Sequence, residues 1–184
     1  MNQALAIAID EQVELCKKGD KSAYFEIYER YAKPMLNSSM RILNNIADAE
    51  DMVQEAFIDA FNNLESFTYK SSFEAWLRRI VINKSISLLR KQKINWTDKD
   101  LSNASITDAD AVNEEAFASD IVRIKAAIKM LPDNYRVIFN LFVIDELKQE
   151  EIASLLNISH NNVRTIYHRA KKKVLDILNT TPNE

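Results

Sequence analysis

A chain of 184 residues with one glycine, Gly19, and three prolines, Pro34, Pro132 and Pro182, has almost nothing with which to interrupt a helix. Inside a helix, glycine costs about 1 kcal/mol and proline about 3 kcal/mol relative to alanine. A sequence that omits both over long stretches reads as helical nearly throughout. The same scarcity removes whole function classes. Neither a Walker phosphate loop nor a dinucleotide fingerprint can be written without several glycines. Cys16 is the only cysteine, so there is no internal disulfide and no thiolate zinc site. His160 and His168, the only histidines, have no acidic neighbours in the sequence, so no metal centre and no cofactor is expected. Hydrophobic residues are 47% of the chain, enough for real cores. No apolar run approaches the roughly 18 residues that span a bilayer. The opening MNQALAIAIDEQVEL lacks the basic leader of a secretion signal. No membrane insertion and a cytoplasmic location are the expectation.

Residues 1–19 read as a weak helical lead-in ending at Gly19. Asp20 then caps a long pattern through Ala23, Ile27 and Tyr31. Pro34 should kink that helix by removing a backbone donor. Asn44 and Asn45 break it, and Asp48 is expected to cap the next helix. There Ala49, Met52, Val53, Ala56, Phe57, Ala60, Phe61 and Leu64 form one apolar stripe. The opposite face carries Asp51, Gln54, Glu55, Asp59 and Asn62, with Ile58 stranded among them. It is either a solvated face or a docking face for a basic or polar partner helix.

A glycine-free loop, Phe67, Thr68, Tyr69, Lys70, Ser71 and Ser72, leads into FEAWLRRIVINKSISLLRKQK. Trp76, Leu77, Ile80, Val81, Leu88 and Leu89 fit a buried stripe, while Arg78, Arg79, Lys84, Arg90, Lys91 and Lys93 project elsewhere. Cations beside aromatic side chains suit unpaired nucleic acid: the charges follow phosphates, and each stacked base is worth about 1–3 kcal/mol. Trp76 and Phe73 read mostly as core, and Tyr69, in a polar loop, as the better stacking candidate. From Thr97 to Asp120 there are seven carboxylates, one lysine and little periodicity, a pattern that reads as an extended linker. Helical periodicity resumes at Ile121. Pro132 fits the first turn of a further helix, which buries Tyr135, Val137, Ile138, Leu141 and Phe142 and breaks at Asp145–Glu146. The tail after residue 179 is expected to fray.

The segment KQEEIASLLNISHNNVRTIYHRAKKK has the form of two short helices about a tight turn. Ile152, Leu155 and Leu156 recur at helical spacing, Asn157 suits a left-handed turn, and Ser159 stands where an N-cap belongs. The second helix buries Val163, Ile166 and Tyr167, then Val174, and turns Asn161, Asn162, Arg164, Thr165, His168 and Arg169 outward. No carboxylate occurs from Ile152 to Leu175. An ordinary helical hairpin usually interleaves both charge signs. A polar start followed by cations alone is the pattern of a helix-turn-helix with its recognition helix in the DNA major groove.

Three stretches together, AEDMVQEAFIDAFNNLESF, FEAWLRRIVINKSISLLRK and LPDNYRVIF with EEIASLLNISHNNVRTIYHRAKKKV, resemble the signature segments of bacterial sigma factors of the sigma-70 family, in the small extracytoplasmic-function group. The resemblance covers nearly all of residues 20–178, in order. It implies an all-α fold of two small helical domains: a region 2 bundle over 20–95 and a region 4 helix-turn-helix over 121–179, joined by an acidic linker over 96–120. It implies no enzyme activity and no small-molecule substrate. It implies binding to core RNA polymerase, direction of that polymerase to promoters, and help in melting them. By position, Asp51, Gln54, Glu55 and Ile58 match the polymerase-docking surface. Phe67, Thr68, Tyr69, Lys70 and Ser71 match the loop that captures a flipped base of the −10 element, and Arg78, Arg79, Asn83 and Lys84 the helix that holds its upstream edge. Arg164, Thr165 and His168 match base-reading positions for the −35 element; Ser159, Asn161, Asn162, Arg169 and Lys171 match backbone or flanking contacts. The family also implies an anti-sigma factor as a partner. Where the family's turn often has glycine this chain has Asn157, which leads us to expect a slightly strained turn.

Two other readings use the same residues. A free-standing helix-turn-helix regulator would bind an operator without polymerase. A nucleic-acid enzyme would need clustered carboxylates for metal, and Asp48, Glu50, Asp51 and Glu55 are the dense candidates, on one helix without a histidine or basic partner.

Overall fold

The structure, a computed structural model, describes residues 3–92 and 117–180, with side chains from 9 to 92 and from 121 to 180. The chain divides into two compact units, one up to residue 92 and one from residue 93. All regular elements among the described residues are helical.

The first unit holds α1 (Gln3–Lys17), α2 (Lys21–Leu43), α3 (Ile46–Asn62), a 3₁₀ turn (Leu64–Ser66) and α4 (Phe73–Lys91). α2, α3 and α4 pack on one another around a core that includes Ile27, Met35, Val53, Phe57, Leu77 and Val81. The N-terminal segment is more than a lead-in. Val13 and Cys16 are fully buried against that core, and the Tyr24 hydroxyl donates to the Cys16 carbonyl at 2.8 Å, a second bond to an oxygen that also accepts from the Gly19 amide at 2.8 Å. Gly19 ends α1 with φ +84°, a conformation that costs glycine nothing.

Asp20 caps α2 by accepting from the amides of Ser22 and Ala23. The helix then runs through Pro34 without a break. Asn44 closes it in the left-handed conformation. The cap of α3 is Asn45, whose side chain accepts from the Asp48 amide at 3.2 Å. Asp48, expected as the cap, lies instead in the first turn, where its charge complements the helix dipole. In α4 the buried stripe includes Ile82, Ser85 and Ile86, which the sequence reading omitted, while Trp76, Ile80 and Leu88 sit at its edge. Ser85 is tolerated there because it donates or accepts at 2.9 Å with Ser39 of α2 and bonds the Val81 carbonyl at 2.9 Å.

The second unit holds α5 (Phe117–Lys129), α6 (Asp133–Val143), α7 (Gln149–Leu156) and α8 (His160–Thr180). α5 begins within the stretch read as linker, and the rest of that stretch, like the tail after residue 180, lies outside the described residues. Pro132 is the N-cap of α6 and not its first helical residue. Ala127, Ile128, Leu131 and Phe139 pack with Ala170 and Val174 of α8. α6 also buries a polar pair of positions that hydrophobic periodicity does not reveal: Arg136, ion-paired to Asp133 at 2.7 Å, and Asn140.

Candidate nucleic-acid interface and docking face

The second unit offers the simpler surface. Asn157 closes α7 at φ 55°, ψ 47°, essentially the ideal left-handed values, so the turn is not strained by the missing glycine. The Ile158 amide returns to the Ala153 carbonyl at 3.1 Å. Ser159 caps α8, its Oγ accepting from the Asn162 amide at 3.2 Å. Val163 and Ile166 are buried, which fixes the helix's rotation. Asn161, Asn162, Arg164 and Lys171 are exposed as a result, and Thr165, His168 and Arg169 half-exposed along the same helix. Tyr167 stacks beside Phe139 and Phe142, with ring centroids at 6.1 and 4.5 Å, and His168 leans on its ring at 5.8 Å. His160 is not without an acidic neighbour: its Nε2 is 3.6 Å from Glu150 at the start of α7. The two helix N-termini of the motif thereby meet through an exposed imidazole–carboxylate contact.

In the first unit the loop before α4 divides sharply. Phe67 is 2% exposed, with its ring against Tyr69, Phe73 and Trp76. Phe67, expected among the base-contacting residues, thus lies in the core beneath the loop. Thr68, Lys70 and Ser71 are exposed, and Tyr69 is 41% exposed. Tyr69 has φ +59°, a conformation that costs a residue bearing a Cβ roughly 1–2 kcal/mol and persists only when neighbours over-determine it. The neighbours are on α1. The Tyr69 hydroxyl donates to Glu14, the Lys17 ammonium donates to that hydroxyl at 3.1 Å, and the same ammonium lies 4.7 Å from the ring centroid. Lys17 also pairs with Glu14 at 3.1 Å. The hydrogen bond from Tyr69 and then that from Lys17 hold the Glu14 carboxyl below its ordinary value. Burial, and then the bond to Glu14, raise the Tyr69 phenol.

On α3 the residues Asp51, Gln54, Glu55 and Ile58 are all exposed on the face away from the core, and Ile58, at 59% exposure, is a lone apolar group in that acidic surface. On α4, Asn83 and Arg79 are exposed. Arg78 is held by Glu74 one turn before it. Lys84 does not project freely. It reaches across to α3, bonding Asp59 at 2.6 Å and Glu55 at 3.3 Å. The Asp59 carboxylate, the larger influence, raises the Lys84 ammonium above its ordinary value. A shallow groove lined by Met52, Glu55, Asp59, Asn83, Lys84 and Lys91 runs between the two helices. The residues expected to meet the polymerase and those expected to meet DNA thus share a border.

Sequence reasoning missed Glu14 and Lys17, and it placed Asp59 on the polar face of α3 without its partner Lys84. Glu14 and Lys17 have helical i, i+3 spacing, but nothing in the sequence connects them to a residue 52 or 55 positions away. No helix among the described residues is long and apolar enough to cross a membrane.

Comparison with known proteins places this geometry in a context. The family model described as Sigma-70 region 2 matches residues 27–94, and that described as Sigma-70, region 4 matches residues 121–174. The ECF RNA polymerase sigma factor SigW of Bacillus subtilis is 35% identical over 178 residues, covering 91% of this chain and 95% of the relative. The ECF RNA polymerase sigma-E factor of Haemophilus influenzae is 28% identical over 172 residues, covering 88% and 90%. Among solved structures, the sigma factor RpoE of Bartonella quintana, in complex with the anti-sigma factor NepR, aligns with a TM-score of 0.53 at 21% identity, over 86% of this chain and 98% of that one. CnrH, in complex with the cytosolic domain of CnrY, aligns with a TM-score of 0.53 at 22% identity, over 93% and 97%. These two likenesses concern the fold.

Proposed function

We propose how the surfaces divide their work from one premise: the chain belongs to the sigma-70 family, in its extracytoplasmic-function group, and is a non-enzymatic subunit that directs core RNA polymerase in promoter-specific initiation. The second unit reads the duplex −35 element. Arg164, Thr165 and His168 meet base edges in the major groove, while Ser159, Asn161, Asn162, Arg169 and Lys171 meet phosphates or flanking positions. A bidentate arginine–guanine contact is worth about 1–3 kcal/mol of discrimination, whereas the phosphate contacts add affinity without sequence information. The first unit docks on the polymerase through Asp51, Gln54, Glu55 and Ile58. Its loop receives an unstacked −10 base on Tyr69, with Thr68, Lys70 and Ser71 around it and Arg78, Arg79, Asn83 and Lys84 along the strand. Capture of that base offsets an unstacking cost of a few kcal/mol, so opening needs no ATP hydrolysis by this chain. An anti-sigma factor, as in the Bartonella quintana complex, is the partner that would cover these surfaces in the resting cell. The location is cytoplasmic, where the polymerase and its template are.

The observation that carries this reading is the exposed face of α8, cationic and free of carboxylates from Ile152 to Leu175, on a helix whose rotation is fixed by buried Val163 and Ile166. Run-off transcription with core polymerase on a randomised promoter library tests it. Arg164→Ala is expected to lower transcription from the selected promoters by roughly 5- to 150-fold, the range that follows from 1–3 kcal/mol, while co-purification with core polymerase persists. Unchanged transcription removes Arg164 from base reading. Failure of the parent chain to co-purify with core polymerase favours a free-standing regulator instead.

A further inference from the structure

Tyr69 is the exposed ring on which the proposed base capture depends, and its backbone conformation is one that its own chemistry disfavours. Its loop has no glycine to absorb that strain. The groups that hold it lie on a different helix, more than 50 residues earlier, in a segment whose packing onto the unit is secured independently by buried Val13 and Cys16. We infer that α1 is a working part of the −10 capture site, with Glu14 and Lys17 as positioning residues that set the Tyr69 ring for an incoming unstacked base. The inference rests on the base-capture reading above and adds to it residues that lie outside the segments carrying the family resemblance.

Three contacts support the assignment, and each constrains a different freedom. Phe67 lies against the ring, with centroids 4.6 Å apart, and limits its tilt. Glu14 accepts a hydrogen bond from the phenol, which fixes where the far end of the ring can sit. Lys17 donates to the same oxygen and places its ammonium against the ring, closing one direction of approach. Lys17 is itself held, its side chain only 14% exposed and paired to Glu14. A tyrosine on a mobile loop would have to be ordered as the base arrives. One already held loses less freedom on binding, which is how preorganisation raises affinity. An aliphatic or even a phenylalanine side chain at position 69 would leave Glu14 and Lys17 without their shared partner.

The ring's hydroxyl gives a test that mere folding cannot imitate. Full-length chain is assembled with core polymerase, and open-complex formation is followed by 2-aminopurine fluorescence at the −10 element, on a duplex promoter and on one mismatched across that element. The variants are Glu14→Ala, Lys17→Ala, Tyr69→Phe, Tyr69→Ala and the double variant Glu14→Ala/Tyr69→Phe. Glu14→Ala and Tyr69→Phe are each expected to slow opening of the duplex about 3- to 10-fold, within the range of an interface side-chain contact. The double variant should be no slower than the worse single, because both remove the same bond. Unfolding midpoint and polymerase affinity should stay at parent values. Glu14→Gln, which retains an acceptor oxygen, should recover most of the rate. Additive effects in the double variant, or full-rate opening by Glu14→Ala while Tyr69→Ala is slow, overturn the positioning role and leave base capture standing. Full-rate opening by Tyr69→Ala overturns base capture itself and this inference with it.

Discussion

Truncation of Phe67 separates the two things an aromatic loop can do. The ring is 2% exposed, and it meets Tyr69, Phe73 and Trp76 at centroid separations of 4.6, 5.5 and 5.4 Å. Removing a fully buried phenylalanine ring costs about 3–5 kcal/mol, of which part is the cavity left behind. Stability of a small domain is about 5–15 kcal/mol in total. For a domain of 60–100 residues each kcal/mol moves the midpoint by about 4–8 °C, so Phe67→Ala should lower melting of the first unit by at least about 12 °C. Differential scanning calorimetry of the whole chain reads this, with the second unit's transition as an internal reference that stays in place. Phe67→Leu keeps most of the apolar volume and costs less. At 25 °C it should fold and still open promoters within about twofold of the parent, since the side chain it replaces presents no face to a base. Tyr69→Leu should fold equally well and lose opening. The reasoning fails if Phe67→Ala melts within about 3 °C of the parent, which would place the ring in solvent. It fails equally if well-folded Phe67→Leu opens promoters as poorly as Tyr69→Leu.

Burial pushes the Cys16 thiol up to about 11 from an ordinary 9.0. Its contribution to stability is therefore complete below about pH 9 and lost as pH rises through about 11; iodoacetamide should label native Cys16 far more slowly than the denatured chain, and equal rates would contradict its burial. Asn157→Ala should destabilise the second unit by about 1 kcal/mol, the cost of the left-handed conformation for a plain side chain, while Asn157→Gly should be close to neutral in thermal melting. Equal midpoints for the two variants would show that φ does not limit this turn. Asp51→Lys with Gln54→Lys should weaken co-purification with core polymerase at unchanged stability, whereas Glu55→Lys should lower both, because Glu55 also holds Lys84; a Glu55→Lys chain of parental stability would make that pair energetically empty.

The helices were legible because their signals are local. Asp20, Asn157 and Ser159 announce their ends through cap chemistry that needs no tertiary information, and all three do in the structure what their residue types prescribe. The α3 stripe was legible because its period is unambiguous. Other features depend on what another helix supplies. Ser85 could be read as buried only by knowing that Ser39 faces it. Phe67 and Tyr69 are two aromatics in one polar loop, and nothing in the sequence says that one points inward and the other out. Arg136 looks like a surface cation until Asp133 is seen to neutralise it in place. At the N-terminus Ile9, Val13 and Cys16 are buried at helical spacing, but the sequence does not say that α2 and the rest of the unit lie against that short stripe.

Charge segregation along the sequence suggests two independent faces, an acidic one on α3 and a basic one on α4, and Lys84 shows where that picture is too simple. Its ammonium bonds Asp59 at 2.6 Å and Glu55 at 3.3 Å, so in the free chain it belongs to the acidic face. The magnitudes decide whether this prevents it from serving DNA. Both carboxylates are about half exposed, and an exposed pair is worth about 0.2–1 kcal/mol. On the proposed assignment, a strand along α4 would bring a line of phosphates and release counterions as it binds, and one phosphate would compete with a pair of this strength. Turning Lys84 from α3 to a phosphate would therefore cost little. The two faces are coupled through one side chain, weakly and in a definite direction. On the proposed assignment, occupying Glu55 would loosen Lys84 for DNA, and drawing Lys84 away would leave Glu55 more available to a cation on the polymerase.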